Sequence, residues 1–162
     1  MEILQITTDM VVNGLYSGPD VSNYSGHIHI PAGLGCVKFT GSLMAAGRIL
    51  AEAGSGIEAG SGIKAGSGIK AGWDIKAGDS IKAGSDIEAG WDIEAGDSIE
   101  AGEGIEAGFA VCAKWVSARL RIFVGLCMCR LPTAEEAQLR AELRSGTIAF
   151  GEHVPPVKEI DQ

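Results

Sequence analysis

Two short patterns bring together side chains able to bind a metal. His27 and His29 are two residues apart, and so are Cys127 and Cys129. On an extended strand that spacing puts both members of a pair on one side. A zinc site takes four donors, commonly at CxxC or HxxxH spacing; each pair here supplies two donors at neither spacing. Both pairs read as structural or surface residues, with no metal and no cofactor expected. A third pattern is the series Asp74, Asp79, Asp86, Asp92 and Asp97. Calcium takes such hard oxygen donors, but the series reads as solvated turn residues. Nothing positions a Ser/His/acid set around the three histidines, and no GxxxxGK[ST] phosphate loop is present. No catalytic residue is assigned, and the chain reads as non-enzymatic. Cys36 and Cys112 read as small apolar residues. Four cysteines, with no export signal in MEILQITTDM, imply reduced thiols in a cytosol.

What must position these residues is a repeat. From Ala53 to Cys112 the chain runs through ten hexads, AGSGIE AGSGIK AGSGIK AGWDIK AGDSIK AGSDIE AGWDIE AGDSIE AGEGIE AGFAVC. A period of six suits neither a 3.6-residue helix nor a heptad. Ile-x-Ala alternates large-in, charged-out and small-in, the pattern of a three-residue strand. Glycine and two small or polar residues then turn a corner, where glycine is expected for its access to positive φ. Such strands wind into a parallel β-helix. The variable positions recur at 18: Trp73, Trp91 and Phe109; Asp74 and Asp92; Asp79 and Asp97; Ser80 and Ser98. Three hexads therefore make one coil of triangular section. The inward columns are Ile57/Ile75/Ile93, Ile63/Ile81/Ile99 and Ile69/Ile87/Ile105. Lys70, Lys76 and Lys82 then lie against Glu88, Glu94 and Glu100, while Lys64/Lys82 and Glu88/Glu106 are like-charged exceptions.

The frame continues outward in weaker form through Ile30, Cys36, Leu43 and Ile49, with bulged corners expected at 36–43 and 49–57. The fold class is all-β: a triangular parallel β-helix with a short C-terminal α-helix. Residues 1–25 read as an N-terminal cap, 26–129 as a solenoid of about five coils, some 25 Å long at about 4.8 Å per coil, and 130–162 as a C-terminal helix and extended tail. Residues 120–129 read as one strand, apolar on both faces from Phe123 onward, which something must cover. The helix follows Pro132, with Thr133 and Glu136 as a capping box and Gly146 as its stop. Helix and strand together suggest a homodimer interface.

Composition narrows the function. The hydrophobic share of 46% is too high for disorder, and no run of 18 apolar residues suggests a membrane span. A net charge of -8 argues against direct nucleic-acid binding. Residues 85–111 hold eight acids and no base. Asp86, Glu88, Asp92, Glu94, Asp97, Glu100, Glu103 and Glu106 are thus candidates for an acidic surface that engages a protein partner with a basic site. Trp73, Trp91 and Phe109, stacked at one corner, are the second candidate surface. The expected location is the cytoplasm of a bacterial host cell.

The hexads resemble the hexapeptide-repeat β-helix of acyltransferases, but glycine follows Ala instead of Ile. The long loop and placed histidine that such transferases use with coenzyme A are absent, so their activity is not carried over. The calcium-binding β-roll has a nine-residue repeat, against six here. The wording AGxxI[KE]AG is similar to that of compact repeat proteins of phages and mobile elements. Small acidic proteins of that kind inhibit host defence systems, CRISPR nucleases among them, or nucleic-acid enzymes. That resemblance implies an inhibitor acting through its surface. The alternative is a self-assembling scaffold similar to bactofilin-type polymers, against which a helical C-terminal cap would count.

Overall fold

The computed structural model describes residues 1–157. It is an all-β parallel solenoid of about seven turns, with 18 residues per coil through the repeat. Each hexad supplies one short strand, such as Ile63–Ala65, Ile69–Ala71 and Ile81–Ala83. The register is the one the 18-residue recurrence requires. On the first face Ile28, Ile49, Ile69, Ile87, Ile105, Ile122 and Ile148 follow one another from rung to rung. Val37, Ile57, Ile75, Ile93, Val111 and Leu139 line the second face. Leu43, Ile63, Ile81, Ile99, Val116 and Leu143 line the third. From Ile49 to Ile105 every isoleucine of the columns is buried, each contributing about 1.5–3 kcal/mol of burial.

The corner glycines answer to a different constraint from the one expected. From Gly60 to Gly108 none has positive φ. Instead, a Cβ at Gly78, Gly84 or Gly90 would lie 2.1 Å from the carbonyl oxygen of Gly60, Gly66 or Gly72, one coil earlier. At Gly102 and Gly108 the corresponding distance is 1.9 Å. Glycine is needed because successive corners stack backbone on backbone. Positive φ occurs at Gly33, Gly35 and Gly54, where the early coils are irregular.

That irregularity corrects the frame read before Ile57. Ile28 and Val37, not Ile30 and Cys36, stand in the large-residue columns; Ile30 and Phe39 take the small-residue places beside them. The extra residues fall at 31–36 and 52–56, and these two corners are bonded together, Gly33 N–H to Ala53 O and Gly35 N–H to Gly54 O. The ladder also starts before residue 26, because Ile3–Gln5 pairs in parallel with His27–His29. A hairpin of Val11–Val12 and Leu15–Tyr16 lies beside the Gly35–Phe39 strand, its turn made by Asn13 and Gly14 at positive φ.

The C-terminal helix is not formed. Thr133 and Glu136 make half of their box: Thr133 N–H donates to Glu136 Oε2 at 2.8 Å, but Glu136 N–H donates at 3.1 Å to the Thr133 backbone carbonyl, a turn bond, in place of the hydroxyl. The turn stops there, and Gln138–Phe150 is a strand paired in parallel with Val111–Val124. Leu139, Ala141 and Leu143 sit at period two, so an extended chain buries them as a final rung, and pairing with an open edge overrides helix propensity. Gly146, at φ +104° and facing Ala118, is a corner in this rung. The two-sided apolar strand is also corrected. Val111–Val124 ends before Gly125; Ile122 and Val124 are buried, whereas Leu120, Leu126 and Met128 are exposed. Glu152–Val154 adds one last short rung over Gln138–Arg140. The end of the tail, 158–162, lies outside the described residues.

Candidate interaction surface

The eight carboxylates of 85–111 belong to strands and corners that wind round the rod, so they form a belt and not one face. Glu88 and Glu106 share the outward column of the first face, Glu94 stands on the second and Glu100 on the third. Asp86, Asp92, Asp97 and Glu103 occupy corners between strands. The 18-residue register pairs three of the glutamates with lysines one coil earlier: Lys70 with Glu88, Lys76 with Glu94 at 3.5 Å and Lys82 with Glu100 at 3.1 Å. Lys114 meets Asp97 at 3.1 Å. Exposed pairs of this kind contribute about 0.2–1 kcal/mol each. Among the described residues Glu103 and Glu106 have no ion-pair partner.

The corner aspartates are not simply solvated. Asp74 Oδ1 accepts the Asp92 N–H at 3.0 Å, Asp86 Oδ1 the Gly104 N–H at 2.8 Å, and Asp92 Oδ1 the Ala110 N–H at 2.8 Å. Each clamps its corner to the next coil, and Ser80 and Ser98 hydroxyls bond across the same step at 3.0 Å. The recurrence at 18 was the signal for this role. Burial pushes the Asp92 carboxyl above the usual carboxylate range; Asp74 and Glu94 add to the rise, and the Ala110 N–H opposes it.

The aromatic column holds for two of its three members. Trp73 and Trp91 stack with centroids 4.9 Å apart and planes 9° from parallel. The Phe109 ring is instead covered by the Arg130 guanidinium, 4.5 Å from its centroid. Arg130 is held by Glu136 through two bonds, 2.8 and 2.6 Å long. This fork, with the Thr133 N–H, lowers the Glu136 carboxyl to about 2. The tryptophans thus stack at successive corners of the rod, and the loop after Val124 closes over the phenylalanine.

A groove of about 800 Å³ lies on the first face toward the C-terminal end, where Leu120 and Phe123 meet Asp86, Glu88, Glu106, Arg119 and Arg121. Sequence reasoning did not find it. The available signal was Phe123, an aromatic residue at an outward position beside the inward Ile122; Phe150 takes the matching place on the next rung.

The two metal-like pairs have other partners. His27 Nδ1 accepts the Arg48 N–H at 2.9 Å, and His29 lies between Gln5 Oε1 at 2.6 Å and Glu52 Oε1 at 2.8 Å. Cys127 and Cys129 face each other with 2.6 Å between sulfurs. Cys36 and Cys112 are half-buried, and burial raises both thiols; Glu58 adds to the rise at Cys36. Among the described residues no group of three or more His, Cys, Asp or Glu side chains is placed to hold a metal ion. No helix among them is long and apolar enough to cross a membrane. No family model, curated protein or solved structure matches the chain.

Proposed function

We propose that the protein is a non-enzymatic, protein-binding inhibitor of the phage or mobile-element type, acting on a host defence or nucleic-acid enzyme. The observation that carries the reading is the groove on the first face. There Glu106 has no ion-pair partner among the described residues, Glu88 is paired with Lys70 alone, and both flank the apolar Leu120 and Phe123. A rigid parallel sheet holds these groups at a fixed spacing, the arrangement that suits a partner's apolar side chain flanked by basic groups. Arg119 and Arg121 on the same rim add specificity, because they reject a uniformly basic surface. The carboxylates on the second and third faces, engaged with Lys76 and Lys82, act as structural ladders. The stacked Trp73 and Trp91 form a secondary contact at the neighbouring corner.

The test is capture from bacterial lysate by the wild type and two charge reversals. Glu88→Lys/Glu106→Lys should lose a partner that Glu94→Lys/Glu100→Lys keeps, and wild-type capture should weaken steeply with salt. Equal capture by both variants would refute the groove as the site.

One observation favours the scaffold alternative. The helix that would have plugged the C-terminal end is absent. The last full rung has a described outer partner only at Gln138–Arg140. From Glu142 to Phe150 its outer edge offers backbone donors and acceptors to another chain. A homodimer through this edge, or longer end-to-end stacking, follows. Light scattering separates a discrete dimer from polymers.

A further inference from the structure

The loop after Val124 carries chemistry that the proposed binding role does not use. Cys127 and Cys129 are both free, with sulfurs 2.6 Å apart. A disulfide bond is about 2.0 Å long, so a small closure of the loop brings the sulfurs to bonding distance. Cys129 is exposed and Cys127 is partly so, which leaves the pair open to a small reagent. The other two thiols stand apart from it on rungs of the rod, Cys36 beside Val37 and Cys112 beside Val111.

We propose that Cys127 and Cys129 form a thiol–disulfide exchange site for a low-molecular-weight disulfide, a function separate from the groove. In the first step the Cys127 thiolate attacks one sulfur of the small disulfide. That S–S bond breaks, a mixed disulfide forms on Cys127, and one small thiolate leaves. In the second step the Cys129 thiolate attacks the Cys127 sulfur and expels the other small thiolate. Two protein thiols are oxidised to one disulfide, one small disulfide is reduced to two thiols, and the two protons released by the cysteines end on those thiols.

The surroundings assign the two roles. Burial acts to raise the Cys127 thiol, but hydrogen bonds from Cys129 and from the backbone N–H groups of Arg130 and Cys129, with the Arg130 charge, outweigh it and lower it. The same hydrogen bond between the two sulfurs raises Cys129. Cys127 is therefore the attacking thiol and Cys129 the resolving one. Arg130, next in sequence, is anchored by Glu136 and Phe109, so the loop holds the pair close.

The experiment exposes the full chain to oxidised glutathione, blocks free thiols with an alkylating reagent, and maps the peptides by mass. The wild type should yield a Cys127–Cys129 disulfide, with Cys36 and Cys112 alkylated. C129S should stop at a glutathione adduct on Cys127, and C127S should react at Cys129 about tenfold more slowly. Circular dichroism confirms that both variants keep the strand signal. Glutathione on both cysteines of the wild type, no reaction at either, a main product that links two chains, or a C129S protein with no adduct at Cys127 would each overturn the proposal.

Discussion

Replacing one corner glycine tests the stacking of the coils without touching the core. In Gly84→Ala the new Cβ would lie 2.1 Å from the Gly66 carbonyl oxygen and 3.0 Å from its carbonyl carbon. Both are backbone atoms, so no side chain can swing away. Gly84 is itself fixed by its N–H bond to Ala65 O at 3.1 Å, and its own carbonyl lies under Gly102. Relief requires the coils to separate locally by about an ångström, which breaks ladder bonds; overpacking of this kind costs about 1–3 kcal/mol, occasionally more. Taking about 2–3 kcal/mol and a slope of 2–4 °C per kcal/mol for this size gives a fall in Tm of about 4–12 °C. Gly62→Ala is the internal control. Its Cβ would meet only the Ser80 carbonyl oxygen, at 3.3 Å, and Ser80 and Asp86 fill the equivalent place in other hexads. That change should stay within about 1 kcal/mol. Thermal melts followed by circular dichroism measure both. A Gly84→Ala protein as stable as the wild type, or a Gly62→Ala protein that is the weaker of the two, would refute the reasoning.

Ile75 is fully buried in the middle of its column, so Ile75→Ala should cost about 2–5 kcal/mol in urea melts. Ile75→Asp, which buries an unpaired charge, should give no folded protein; a soluble, folded product would contradict the inward column. The raised Asp92 carboxyl means the native state holds its proton to higher pH than the unfolded chain, so its contribution to stability falls as pH rises through that window. Asp92→Asn, which keeps an acceptor for the Ala110 N–H, should match or exceed the wild type at pH 7. Asp92→Ala should lose about 1–3 kcal/mol from the stranded donor; equal loss in both would refute the clamp. Glu136 is lowered to about 2, so the stabilisation it gives the loop is complete above its ordinary pKa and disappears as pH falls through about 2. A carboxyl NMR titration of Glu136 near the ordinary value would show that the Arg130 fork does not persist in solution.

The repeat was legible because one residue type sits at each place. Isoleucine every sixth position fixed strand and corner, and Trp73/Trp91 with Asp74/Asp92 fixed the coil at 18 residues. The flanks lack that redundancy. Cys36 and Val37 are both small and apolar, and only the register with Ile57 shows which one turns inward. Across 133–146 a capping box competed with a period-two pattern at Leu139, Ala141 and Leu143, and the open edge of Val111–Val124 decided between them. The acidic surface was legible in composition and in the pairing that the register imposes. The 18-residue register already set Glu94 and Glu100 against Lys76 and Lys82; what charge counting could not show is that Asp86 and Asp92 hold the next coil. The apolar pattern of 120–129 points to a strand that something must cover, and it does not show that Leu120 and Phe123 line an open groove.

The chain winds as a parallel coil of 18 residues whose last full rung is the strand Gln138–Phe150. Backbone through-space NMR contacts test it directly, because neighbouring parallel strands bring amide and α protons of paired residues close together. Contacts are expected between residues 18 apart, such as Lys76 with Glu94 and Lys82 with Glu100, together with contacts joining Val116 to Leu143 and Ile122 to Ile148. Contacts at another spacing through the hexads, or sequential helical contacts across 138–146, would contradict it.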